Sequence, residues 1–223
     1  MKYLAYLLAI TLLYLPQITF AQHDPEASQV LFASYNRYKT FQNVKIQFTQ
    51  RTVNKSRNLD KKFNGTAYVK GKQHRIELPG QKVISDGTNI WTYRSKQKKV
   101  FIKTYDPDDP SLTPDKIFRE DFLTRGLIFN KLIKNANDPS SDVSEKPQNE
   151  DIVEIVPTNK RRAYSKFHLY INRSNKLVSK WVVFMKNGST ITYKVQLFPN
   201  SYIPSKHFEA KFPRGTKVVD LRR

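Results

Sequence analysis

A period of two restricts the fold more than any other feature of this chain. Over residues 43–53, NVKIQFTQRTV, the apolar Val44, Ile46 and Phe48 alternate with Lys45, Gln47 and Thr49, the pattern of a β-strand with one dry face and one wet face. The rhythm continues through NGTAYVKGKQHRIELPGQKVISDGTNIWTYRSKQKKVFIKT, where Gly71, Pro79-Gly80, Asp86-Gly87 and residues 95–97 cut it into four or five short strands of a meander. It returns in RAYSKFHLYIN, with Phe167, Leu169 and Ile171 in alternation. LVSKWVVFMKNGSTITYKVQLF then reads as two strands about Asn187-Gly188, a type I′ turn signal, and KHFEAKF and KVVDLR read as closing strands.

Two segments break the rhythm. HDPEASQVLFASYNRYKTFQN offers Asp24 as N-cap, Pro25 at the first helical position and Val30, Leu31, Tyr35 and Tyr38 at helical spacing, which predicts an amphipathic helix over about 25–40. The middle, from Asp106, is rich in Asp-Pro turns; Thr113-Pro114-Asp115 opens a short helix, and Ile117, Phe118, Phe122, Leu123, Leu127, Ile128 and Phe129 are too apolar for an idle linker. Residues 136–150 read as a polar, mobile loop. The expected fold is mainly β (α+β): an incomplete antiparallel β-barrel of about ten to eleven strands, with helices covering its open concave side.

The first 21 residues, MKYLAYLLAITLLYLPQITFA, have a charged start at Lys2, an apolar run, a breaker at Pro16 and small residues at Thr19 and Ala21, the features of a secretory signal peptide cleaved after Ala21. Residues 22–223 are then one exported domain, soluble in the periplasm. The absence of cysteine among 223 residues agrees with a core large enough to need no disulfides, and Gln22 after the cleavage site offers no thiol for lipid attachment. The net charge of +20, or +19 once Lys2 leaves with the leader, favours acidic partners. Export turns that preference away from nucleic acid and towards anionic lipid, acidic proteins or polysaccharide.

Chemistry is hard to place in this chain. His23, His74, His168 and His207 are scattered without metal-ligand spacing, and the seven glycines form no phosphate loop or nucleophile elbow. DPDDP at 106–110 clusters carboxylates, but its spacing fits no EF-hand and Asp before Pro is a turn former. No enzyme activity, cofactor or metal is expected.

The stretch FNGTAYVKGKQHRIELPGQKVISDGTNIWTYRSKQKKVFI resembles the first half of the periplasmic outer-membrane lipoprotein carrier proteins, the LolA-like family. A Gly-led strand (65–69) precedes an aromatic and basic strand (74–78), the turn Ser85-Asp86-Gly87 and the strand Ile90-Trp91-Thr92-Tyr93. LTPDKIF, FHLYINRSNKLVSKWVVFMKNGSTITYKVQLF and HFEAKFPRGTKVVDLR continue the likeness in order. The resemblance implies an open barrel with a hydrophobic cavity under a helical lid. It also implies acylated lipoproteins as cargo, taken from an inner-membrane ABC-type release complex to an outer-membrane acceptor whose identity stays unknown. Carriers of this family fasten the lid with an Arg just after the aromatic-Val-Lys strand. The matching place, Lys70-Gly71-Lys72, holds none, so that latch is not carried over.

For the cavity so implied, strand alternation names Ile46, Phe48, Val69, Ile76, Leu78, Ile90, Phe167, Leu169, Ile171, Ile191, Tyr193 and Val195 as lining, with Leu31, Phe118 and Phe122 in the lid. Trp91 and Trp181 stay open between the two faces. A monomer with no nucleic-acid partner is expected. The alternative is an exported basic module that binds anionic lipid or polysaccharide through residues 96–99 and 160–162.

Overall fold

Asp24 starts the first element. The computed structural model describes residues 23–106, 112, 113, 117, 127–133 and 149–222, and in it helix α1 (Pro25–Lys39) has Asp24 as its N-cap and Pro25 in its first turn. The Asp24 carboxylate accepts from the amides of Glu26 and Ala27 at 2.9 and 3.3 Å, satisfying donors that the helix cannot. Ala27, Leu31 and Ser34 form the buried stripe.

Twelve strands follow: β1 (Asn43–Asn54), β2 (Leu59–Lys70), β3 (Gln73–Leu78), β4 (Gln81–Ser85), β5 (Asn89–Arg94), β6 (Lys99–Thr104), β7 (Leu127–Ile133), β8 (Glu150–Pro157), β9 (Tyr164–Asn172), β10 (Val178–Met185), β11 (Thr190–Pro199) and β12 (Lys217–Asp220). They make one sheet in the order β12-β6-β5-β4-β3-β2-β1-β11-β10-β9-β8-β7. The meander expected over 43–104 is present in full. Among the described residues no pairing joins β12 to β7, so the sheet is open.

Three expectations need correction. Among the described residues the sheet has twelve strands rather than ten or eleven, because β7 and β8 lie where the sequence shows no alternation. In β8, Val153 and Ile155 are buried on one face and Ile152 is buried on the other between the partly exposed Glu150 and Glu154, so two apolar neighbours stand side by side and hide the period. KHFEAKF is not a strand: Ser205–Phe208 is a 3₁₀ turn that follows Pro204, and Phe208 is buried. The sheet is also not wholly antiparallel, because β12 runs parallel to β6.

That parallel strand requires a crossover. After β11 the chain passes over the outer side of β2 to β5, held by the Arg75 guanidinium, which donates to the His207 carbonyl at 2.9 Å, and by His207 edge-on to Tyr68 at 4.2 Å. Further along, Phe212 packs beside Tyr93 at 5.5 Å. Burial, with Arg75 close by, holds the His207 imidazole below its usual range.

Of the helical cover, α1 lies across β7 and β8. Leu112 and Ile117 are buried in the same core as α1, and the Ile117 amide donates to the Thr113 carbonyl. Phe118, Phe122 and the rest of the second helix expected from Thr113, residues 107–110, and residues 136–148 of the loop expected over 136–150 lie outside the described residues, while Glu150 already belongs to β8.

Candidate functional site

The inner face is built by register. Ile76 stands opposite Ala67, Ala67 opposite Ile46, and Ile46 opposite Leu197, so one apolar row crosses four strands. A second row runs from Tyr193 through Trp181, Leu169 and Val153 to Leu132. Both rows belong to one cluster that also takes Ala27 and Leu31 of α1. A sheet that brings eight of its strands and a helix into one core is curled around them.

Between the rows sits Phe48, opposite Gly65 on β2 and Val195 on β11. A Cβ on Gly65 would lie 2.4 Å from Phe48 Cζ and 2.7 Å from Leu78 Cδ2. The glycine is therefore required by close approach, not by a turn, and it lets the Phe48 ring lie over the β2 backbone. At this level a cleft of about 710 Å³ opens; Phe48, Leu78 and Val195 border it, but most of its lining is polar, and Gln47, Thr49, Asn64, Glu77 and Lys194 alternate with those three and belong to the opposite face of their strands. That volume lies in the range of small-molecule sites.

Aromatic packing stiffens the adjoining wall. Trp181 stacks on Tyr193 with ring centroids 4.6 Å apart and planes 16° from parallel, and Tyr193 in turn meets Phe48 at 6.2 Å. Sequence left Trp181 between faces for a definite reason. A two-residue type I′ turn at Asn187-Gly188 would pair residues one step out of the observed register, and a one-residue slip reverses every side chain. The hairpin instead pairs Phe184 with Thr190 and Trp181 with Tyr193, and Gly188 carries φ +78° while Asn187 does not take a positive φ. The loop is the three-residue kind with a left-handed glycine, and it places Trp181 inside. Trp91, opposite Ile84 and Ile102, takes the other face.

Both ends of α1 are fastened to the sheet by backbone amides. The second Asp24 carboxylate oxygen accepts from the Leu132 amide of β7 at 2.9 Å, and the Tyr38 hydroxyl oxygen accepts from the Val178 amide of β10 at 2.9 Å. Burial drives the Tyr38 phenol far above its ordinary range, against a smaller opposing pull from the Val178 hydrogen bond. At the place of the family's lid Arg, Lys72 is exposed and lies against Gly87, where a Cβ would come within 2.8 Å of the Lys72 Cβ.

Of the twelve expected lining residues, eleven lie in or against the single core: Ile46, Phe48, Val69, Ile76, Phe167, Leu169, Ile171 and Tyr193 are buried, while Leu78, Ile191 and Val195 are partly covered. Ile90 does not join them. It has Ser85 and Lys103 as cross-strand neighbours, beyond the apolar part of the face. Leu31 is buried in the core as part of the cover. Sequence reading missed Ala67, Val153 and Ile155 on this face; Ala67 was visible by alternation with Val69, whereas the β8 pair carried no alternating signal.

Among the described residues, no group of three or more His, Cys, Asp or Glu side chains is placed to hold a metal ion, and no helix is long and apolar enough to cross a membrane.

The sheet is open, and its curled inner face is apolar and packed under a helix. The family model for the outer membrane lipoprotein carrier protein LolA matches residues 39–211, and the chain belongs to that family. Two crystal structures share the fold. An uncharacterized conserved protein from Thermus thermophilus is 14% identical with a TM-score of 0.52, the match covering 88% of this chain and 99% of that one. A DUF1329 family protein from Desulfovibrio piger is 12% identical with a TM-score of 0.50, over 85% of this chain and 98% of that one. No match is found among curated protein sequences.

Proposed function

We propose that this chain is an exported, monomeric carrier that takes acylated lipoproteins from an inner-membrane ABC-type release complex through the periplasm to an outer-membrane acceptor, holding the acyl chains on the inner face of its sheet. The observation that carries this reading is the continuous apolar face from Ile76 to Leu132 beneath α1. Each buried CH₂ is worth about 0.8 kcal/mol, so three acyl chains hold a lipoprotein in its membrane by tens of kcal/mol and it does not cross water unaided. A carrier has to offer comparable apolar surface yet release it, and a wide, partly open face suits both demands better than a closed pocket.

Residues 1–21 serve as the export signal in this reading, and the mature chain begins at Gln22. Recovering the protein from periplasm and analysing it by mass spectrometry tests the whole proposal. The expected result is a mature N-terminus at Gln22 and co-purifying acylated lipoprotein; a chain that carries no acylated material overturns it.

A further inference from the structure

One end of the sheet gathers the cations. The turns 55–58, 95–98, 158–163 and 186–189 all lie at the end towards which β1 runs, as the pairings of Val53 with Thr190, Arg94 with Lys99 and Ile155 with Phe167 require. Together they hold eight Lys and Arg residues and no Asp or Glu. The described turns at the opposite end, 71–72, 86–88 and 173–177, hold three cations and Asp86, and one of the three, Arg173, is paired with Asp151. The basic end thus carries a net +8 over 18 turn residues against +2 over 10 at the other end.

Three of the four basic turns are tied together. Asn54 Nδ2 donates to the Asn187 carbonyl at 3.1 Å and to Ser189 Oγ at 2.9 Å, the Lys186 amide donates to the Ala163 carbonyl at 2.9 Å, and Lys186 Nζ donates to the Lys160 carbonyl. Cations of three turns are thus held near one another by hydrogen bonds of the Asn54, Ser189 and Lys186 side chains and of the backbone. Asp60, at the start of β2 beside the 55–58 turn, is occupied by Arg51 at 2.6 Å.

We propose that this rim docks the protein on an anionic lipid bilayer. The four turns contain no aromatic residue and no aliphatic one larger than Ala163. The rim therefore lacks the buried anchors on which protein interfaces depend and the stacking platforms on which single-stranded nucleic acid depends. What it offers is many point charges on flexible stems spread over several turn tips, which matches a broad field of headgroup phosphates. Such docking is independent of the carrier reading, because no passenger is involved in it.

The test is flotation of the mature chain with vesicles of phosphatidylcholine alone or mixed with phosphatidylglycerol, at low and physiological salt. The rim variant is Lys96→Glu, Lys98→Glu, Arg161→Glu; the control, with the same change in net charge, is Lys70→Glu, Lys72→Glu, Lys176→Glu at the other end. A Gln version of the rim variant and a thermal melt of each protein separate binding from folding. Each cation at an anionic surface multiplies partitioning roughly fivefold, so the Gln version of the rim variant is expected to lose about 100-fold in affinity for the mixed vesicles and the Glu version more. The control loses only a few-fold, and phosphatidylcholine alone binds neither. Equal losses in the two variants reduce the effect to net charge and overturn the proposal. Wild-type protein that ignores the mixed vesicles while binding a sulfated polysaccharide or an acidic protein overturns it as well. Because the vesicles contain no lipoprotein, failure here leaves the cargo experiment untouched.

Discussion

The carboxylate of Asp24 accepts the amide of Leu132 at 2.9 Å across 108 positions of sequence, while its other oxygen caps α1. One side chain thus sets where the helix begins and where it is pinned to the sheet. Asp24→Ala removes both functions and is expected to cost about 2 kcal/mol, whereas Asp24→Asn keeps a capping oxygen and costs about half of that. Urea denaturation reads the difference, and faster hydrogen exchange at the Leu132 amide in both variants identifies the lost pin.

The other end of the helix depends on Tyr38. Tyr38→Phe leaves the Val178 amide without its acceptor and is expected to destabilise by about 1–3 kcal/mol. The phenol also carries a pH signature. Its folded pKa is raised, so its contribution is complete below the unfolded phenol pKa of about 10 and is lost as pH rises above that value, where the unfolded chain ionises first. Burial raises the Tyr164 and Tyr68 phenols in the same direction. Alkaline unfolding monitored by phenolate absorbance is expected to begin near that pH and to be shallower in Tyr38→Phe; an unchanged slope rejects the role.

Close packing, not turn geometry, fixes Gly65. Gly65→Ala sets a Cβ 2.4 Å from the Phe48 ring and 2.9 Å from the Glu77 carbonyl, and backbone cannot give way cheaply. A loss of about 1–3 kcal/mol is expected. Combining it with Phe48→Leu relieves the ring contact, so the double variant is less destabilised than the sum of the singles in the same urea assay.

How far the sequence reveals this molecule depends on whether the apolar residues of a strand keep to one face. Val44, Ile46 and Phe48 alternate with polar neighbours and were legible; Ile152 is buried on one face of β8 and Val153 and Ile155 on the other, and they were not. Turn chemistry set the second limit. Asn187-Gly188 announces a hairpin but does not count its loop, and that count decides whether Trp181 points inward. Ile90 shows the third: alternation assigns a side, yet not how far along the strand the apolar surface extends.

Burial also decides where the proposed cargo face can be probed. Ile76 and Leu169 are 5% and 2% exposed, so a charge at either is expected to unfold the protein before it informs on uptake. Val195→Lys and Leu78→Lys act at partly covered positions beside the cleft. They are expected to lower lipoprotein uptake by at least about tenfold while leaving the urea midpoint close to wild type. Uptake at the wild-type level in both places the acyl chains elsewhere.

Lys98 closes the turn between β5 and β6 at φ +47°, the backbone state that Asn58, also at φ +47°, holds in the matching turn between β1 and β2. Asn tolerates that state and Lys does not, at a cost of about 1 kcal/mol. Lys98→Gly and Lys98→Asn are therefore expected to raise stability, Gly by about 1 kcal/mol, seen as a higher midpoint in thermal melts. If the basic rim meets anionic lipid, the same substitutions weaken vesicle flotation about fivefold, so that stability and binding move in opposite directions at one position. A variant that gains stability and keeps full flotation removes Lys98 from the docking surface.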